Sequence, residues 1–206
     1  GSRALLQERL PGLEVQVTPG LDPRALFDQP PTAIWLEIGF GGGEHLAALA
    51  ERHPRVGFLG VEPFINGVAK LVRAVEDRAL HNVRVFRDDA RLLLEVLPTA
   101  SIERAFILYP DPWPKARHHK RRIVNAQTVA ELARIVRPGG ALQLATDVPE
   151  YARWMLATLL AEPRFAWLAE RAADWRKPPD RWPGTRYENK ALAAGRRPAY
   201  LSFARV

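Results

Sequence analysis

The stretch "AIWLEIGFGGGEHLAALAERHP", Ala33–Pro54, decides the fold. It opens with a short apolar run that ends at glycines, the pattern of a strand buried on both faces. Gly39, Gly41 and Gly43 then follow at alternate positions. Glycine lacks a Cβ, so the backbone can turn sharply there and approach a ligand closely. Leu46, Leu49 and Ala50 recur at helical spacing, and Pro54 stops the helix. A strand, a glycine turn and a helix in this order begin a βαβ unit.

Working outward, the alternation repeats. "VGFLGVE", "NVRVFRDDA", "IERAFILYP" and "ALQLATD" read as further strands. "FINGVAKLVRAVEDRAL", "ARLLLEVLP", "AQTVAELARIVRPGG" and "PEYARWMLATLLAE" read as helices, and "AYLSFARV" as a last strand after a proline-rich loop, Lys177 to Pro183. Helices between strands predict an α/β fold with a mostly parallel, doubly wound sheet covered on both faces. Residues 1–31 lack this periodicity and read as a weakly structured N-terminal arm, which leaves residues 32–206 as the domain.

Ligands of such sheets bind beyond the carboxyl ends of the strands, where the strand order reverses. Glu37, Glu62, Asp89, Asp111 and Asp147 all fall at the ends of predicted strands. Any one of them alone fits a helix N-cap. Together they point to a ligand that carries positive charge and hydroxyls. Glu37 precedes the first glycine, where a pyrophosphate would be repelled and an ammonium or sulfonium welcomed. Glu62 is placed to accept from ribose hydroxyls, and Asp89 from an adenine amine. The glycine spacing also departs from the dinucleotide fingerprint. These features favour S-adenosylmethionine over a nicotinamide cofactor.

"YPDPWPKARHHKRR", Tyr109–Arg122, joins a rigid knuckle to a basic run. Pro110 and Pro112 fix their own φ and bias their neighbours toward extended geometry, so Asp111 and Trp113 are presented with little freedom. Preorganisation of this kind serves a reacting pocket. Lys115, Arg117, His118, His119, Lys120, Arg121 and Arg122 then suit the tracking of phosphates. A solvated charged loop and, for the two histidines, a metal site are the competing readings; no carboxylate is left nearby to complete a metal site.

Composition narrows the classes further. The 206 residues carry a net charge of +7, are 47% hydrophobic and include no cysteine. A positive excess attracts polyanions, nucleic acid above all. Disulfides, thiolate metal ligands and a cysteine nucleophile are excluded. Charges interrupt every apolar run before membrane-spanning length and no segment reads as a signal peptide, so a cytoplasmic protein with no membrane or metal partner is expected. Oligomeric state, monomer or homodimer, is not written in these features.

The segments "EIGFGGGEHL", "GVEPFINGVAK", "DDARLLLEVLP", "LYPDPWPKARHHKRR", "ATD" and "TRYE", in this order, resemble the bacterial tRNA (guanine-N7-)-methyltransferase family. The resemblance runs from about Trp35 onward. It implies a Rossmann-like S-adenosylmethionine-dependent methyltransferase fold with an antiparallel C-terminal strand. It also implies S-adenosylmethionine as methyl donor (S-adenosylhomocysteine as product) and tRNA as partner, with the variable-loop guanosine at tRNA position 46 as acceptor. Matched position by position, Glu37, Gly39, Gly41, Glu62, Asp89 and Asp111 fall on the cofactor site, and Asp111 on the active-site residue. Lys115, Asp147, Thr185, Arg186, Tyr187 and Glu188 fall on substrate-contacting positions, and Arg117 to Arg122 on the RNA-contacting segment. Tyr109 stands where many members have phenylalanine. Two other functions compete on the same fold: methyl transfer to another substrate, and RNA binding without catalysis.

Overall fold

The computed structural model describes all residues from Gly1 to Val206. Seven strands form one sheet in the order β3-β2-β1-β4-β5-β7-β6. The first five are β1 (Ala33–Ile38), β2 (Val56–Val61), β3 (Val83–Phe86), β4 (Ile102–Leu108) and β5 (Val136–Thr146), all parallel. β7 (Ala199–Arg205) runs antiparallel between β5 and the short β6 (Phe165–Trp167). Five consecutive helices connect or flank these strands: α2 (Glu44–Arg52), α3 (Ile65–Asp77), α4 (Ala90–Val96), α5 (Ala126–Ile135) and α6 (Pro149–Leu160). Two more follow, α7 (Ala173–Arg176) and α8 (Arg186–Ala193). The predicted α/β class and parallel order are found, and the antiparallel end of the sheet gains β6, a strand of three residues too short for a periodicity to register.

Side chains alternate across a strand, and β1 shows what that places where. Ile34, Leu36 and Ile38 enter the core shared with α4, α5 and α6, through partners such as Leu93, Leu132 and Met155. Trp35 enters the opposite core, with Leu46 of α2 and Leu71 of α3. Each such side chain contributes roughly 1.5–3 kcal/mol by leaving water. Glu37 shares Trp35's parity and therefore faces α2. β1 lies between β2 and β4, with Glu37 level with Gly60 and Phe106. The strand order reverses here, so the turns after β1 and β4 open a crevice at their carboxyl ends.

Residues 1–31 differ from the loose arm expected. Ser2–Leu13 form a helix, α1, and Leu10 and Leu13 are buried in the core that holds α3. Val15 then donates its amide to the Val85 carbonyl at 2.8 Å, beside a bridge between Glu14 and Val85. Pro11 and Gly12 read as breakers, but Pro11 sits in the last turn and costs the helix only one amide hydrogen. No helix is long and apolar enough to cross a membrane.

Candidate functional site

A cleft of about 420 Å³ opens at the carboxyl ends of β1 and β4. Glu37, Gly39 and Gly41 line one side; Thr185, Arg186 and Tyr187 line the other. Gly39 and Gly41 have φ of +74° and +59°, and a Cβ at either would meet nothing within 4 Å. The turn thus offers bare backbone to open space, a cradle that a side chain would fill. Gly67 explains why α3 tolerates a glycine: a Cβ there would lie 2.1 Å from the Gly41 carbonyl oxygen. The close passage of α3 holds the turn in place. A larger cleft of about 790 Å³ lies at the opposite end of the strands, beside Thr32, Arg55 and Asn82.

The strand-end acids divide into distinct environments. Glu37 is buried and hydrogen-bonded to Nδ1 of His45, whose ring is wedged between Phe106 and Trp182. Glu62 turns beneath the glycine cradle, where its carboxylate accepts from the Gly41 amide at 2.8 Å and the Phe64 amide at 3.2 Å. Burial raises the Glu62 pKa; the two amides oppose the rise, and the nearby Asp111 carboxylate adds to it. Asp89 is exposed and caps α4, accepting from the Arg91 amide at 3.0 Å. It reaches the same edge of the sheet but does not line the cleft, because β3 stands two strands away from β1. Asp111 is exposed beyond β4, close enough to bias both Glu62 and Tyr151. Of the four proposed cofactor acids, Glu37 lines the cleft and Glu62 bonds the backbone of the cradle, while Asp89 and Asp111 are exposed outside the cleft lining.

The knuckle is held under strain. Tyr109 and Trp113, on either side of Asp111, have φ of 53° and 42°, in the left-handed region that L side chains rarely occupy. Tyr109 is tied on both ends: its amide donates to the Ala145 carbonyl at 2.8 Å and its hydroxyl to Glu188 at 2.9 Å. The hydroxyl that distinguishes this tyrosine from phenylalanine thus has a defined partner.

Asp147 and Glu188, expected as contacts to substrate, are buried and engaged within the chain. Asp147 accepts from the Tyr187 hydroxyl at 3.1 Å and from Arg196 at 2.7 Å. Glu188 accepts from Trp182 at 2.8 Å and from Tyr109 and Tyr200, each at 2.9 Å. Three donors from within the chain engage its carboxylate, which turns it away from the open cleft. Thr185 caps α8 by accepting the Glu188 amide at 3.1 Å. "TRYE" is therefore a helix start that also fixes a buried carboxylate. Tyr187 remains half exposed and tilts against Tyr109, with ring centroids 5.1 Å apart.

The basic run also divides. Lys115, Arg117, Lys120 and Arg121 are exposed around a 3-10 turn at Ala116–Arg121. The guanidinium of Arg121 covers the Trp113 ring at 4.9 Å. His118 packs edge-on against Trp113 and His119 against Trp154, so the two imidazoles turn onto different rings. Arg122 is the exception and a correction: its side chain is 0% exposed and cannot track a phosphate. Among the cleft-lining groups that the reading of residue types missed, His45's partner role aside, are Glu44, Lys70, Tyr109 and Lys190. Helical spacing was the available signal, since Lys70 follows Gly67 by three residues and Lys190 follows Arg186 by four.

The comparisons agree with one another. A family model described as "Putative methyltransferase" matches residues 31–200. A protein of Azorhizobium caulinodans named tRNA (guanine-N(7)-)-methyltransferase is 51% identical over 206 residues, covering 100% of this chain and 90% of its own length. A protein of the same name from Chelativorans sp. is 49% identical, covering 98% of this chain and 88% of its own. Among solved structures, the 16S rRNA methyltransferase KamB superposes with a TM-score of 0.62 at 16% identity, over 89% of this chain and 91% of its own. An rRNA methylase from Streptococcus thermophilus gives 0.57 at 13% identity, over 84% and 87%. At such identities the two structures speak for the fold alone.

Proposed function

The chain belongs to the tRNA (guanine-N7-)-methyltransferase family, and from that premise we propose that it transfers a methyl group from S-adenosylmethionine to N7 of the variable-loop guanosine at tRNA position 46. One observation carries this reading: a glycine cradle with open space above it faces Thr185–Tyr187 across the crevice, with a buried carboxylate on its floor. The residues present suit the donor. Bare backbone at Gly39 and Gly41 admits it closely, Glu37 suits its ammonium, and Glu62 keeps lone pairs for hydroxyls. Asp89 lies along the same edge. S-adenosylmethionine supplies an electrophilic methyl carbon when bound.

Guanine N7 carries a lone pair and no proton, so no residue has to remove one. The work left to the protein is alignment and electrostatics in a pocket that excludes water. Asp111 is the carboxylate free for that work, because Asp147 and Glu188 are engaged within the chain. It suits guanine N1–H and the 2-amino group, which would fix the base with N7 toward the donor. The half-exposed Tyr187 offers a face for stacking. Lys70, Arg186 and Lys190 put positive charge on the rim, and Lys115, Arg117, Lys120 and Arg121 extend it for phosphates.

The test is to incubate the protein with S-adenosylmethionine and tRNA lacking the modification, then cleave chemically at 7-methylguanosine. Scission at position 46 is expected. Scission elsewhere overturns the site, and labelled protein or small molecule in place of labelled tRNA overturns the substrate.

A further inference from the structure

Arg122 ends the basic run but does not belong with it. Its guanidinium is fully buried and makes three kinds of contact at once. Nε donates to the Pro112 carbonyl at 2.8 Å, inside the knuckle and one residue from Asp111. The two terminal nitrogens fork onto Glu150 in the first turn of α6, one of them at 3.2 Å. The flat face lies over two rings of the same helix, Tyr151 at 4.6 Å and Trp154 at 4.7 Å. The chain around it is fastened to α6 as well: Trp154 donates to the Val124 carbonyl at 2.7 Å, and the Val124 amide faces the Tyr151 hydroxyl at 3.4 Å.

A planar fork that bonds a carboxylate with two nitrogens while a third reaches a carbonyl is open to arginine and closed to lysine. Burying a guanidinium costs several kcal/mol of hydration, which bidentate pairing and two aromatic faces offset. Such an expense at a position that looks, by its neighbours, like surface charge calls for a reason. The reason lies in what the Pro112 carbonyl controls. Tyr109 and Trp113 hold left-handed backbone, and conformations of that kind persist only where surroundings over-determine them. Tyr109 is restrained by Ala145 and Glu188 at one end. Arg122 restrains the other.

We infer that Arg122 is a positioning residue for the reaction: it tethers the Pro-Asp-Pro-Trp knuckle to α6 and so fixes where Asp111 points, and it takes no part in binding RNA. The inference rests on the reading of Asp111 given above. Displacement of a reacting group by about 1 Å costs on the order of 100-fold in rate.

The experiment compares Arg122→Lys, Glu150→Gln and Lys120→Ala by steady-state kinetics at several salt concentrations, alongside the rate of tryptic cleavage after Lys115. Arg122→Lys should lower kcat by about 10- to 100-fold, leave the KM for tRNA and its salt slope unchanged, and speed cleavage after Lys115. Glu150→Gln, at an exposed partner, should do the same more weakly and keeps the test alive if Arg122→Lys fails to fold. Lys120→Ala should instead raise the KM for tRNA and lower its salt slope by about one, without faster cleavage after Lys115. In an Asp111→Asn background, Arg122→Lys should cost nothing further. A reduced salt slope in Arg122→Lys, or an unchanged kcat, overturns the inference. Full activity of Asp111→Asn overturns the reading of Asp111, and with it the purpose of the tether; faster cleavage in Arg122→Lys would then still separate a real tether from none.

Discussion

The two walls of the crevice use the same residue types in opposite ways. On the knuckle wall Asp111 is exposed and strained backbone flanks it. On the α8 wall Glu188 is buried and hydrogen-bonded by Tyr109, Trp182 and Tyr200, and Asp147 is held by Tyr187 and Arg196. A carboxylate with no internal partner is available to a ligand. One with three donors has become architecture, and its value is the geometry it imposes on its neighbours. The arginines repeat the lesson at adjacent positions: Arg121 lies on Trp113 in solvent, while Arg122 is enclosed.

Exchanging the two walls' carboxylates is the strongest way to break this contrast. Asp111→Ala should reduce methyl transfer by roughly 100- to 1,000-fold, the scale of losing one preorganised polar group. tRNA binding and the melting temperature should be preserved; weakened tRNA binding with normal turnover would contradict the role assigned to Asp111. Glu188→Gln should act on the fold first. It leaves buried donors mismatched and should cost about 2–4 kcal/mol in urea unfolding. Any activity loss should follow the unfolded fraction, and a variant as stable as the parent but inactive would put Glu188 back in contact with substrate.

A packing substitution comes next in size. Gly67→Ala drives a methyl into the Gly41 carbonyl and should cost about 1–3 kcal/mol. Donor affinity should fall while tRNA affinity holds, because the cradle moves and the basic turn does not. Loss of both would mean the walls are mechanically one.

The smallest effect concerns Glu62. Its pKa is raised, chiefly by burial, so the folded state holds this proton more tightly than the unfolded chain does. The associated stability is therefore present below the ordinary carboxyl value of 4.5 and is lost as pH rises through the folded value. Carbon-detected titration should place Glu62 above that ordinary value. Asp111→Asn should lower it slightly, since the like charge is a lesser cause than burial. No change at all would place Asp111 farther from the cradle than the structure does.

The parallel half of the sheet was legible because strands buried on both faces must be apolar throughout, and the glycine turn because its positive φ favours glycine over any side chain. The acids at strand ends were legible as a set, but not by environment: the helix after Asp89 marks it as a possible cap without separating a cap from a ligand contact, and nothing beside Glu188 names its three donors. Arg122 was hidden for a similar reason. Its burial is decided by Tyr151 and Trp154, far along the chain, while Lys120 and Arg121 just before it face solvent. α1 was hidden by Pro11, whose harm depends on which turn of the helix it occupies.

Tyr200 of β7 supplies one of the bonds to Glu188, and β7 itself slots between β5 and β6. During synthesis the glycine cradle and the knuckle therefore emerge well before the strand that completes the facing wall. A nascent chain would hold half a crevice until that late segment threads into the sheet, so catalytic competence arrives as one of the closing events of folding and not as an early gift of the parallel core.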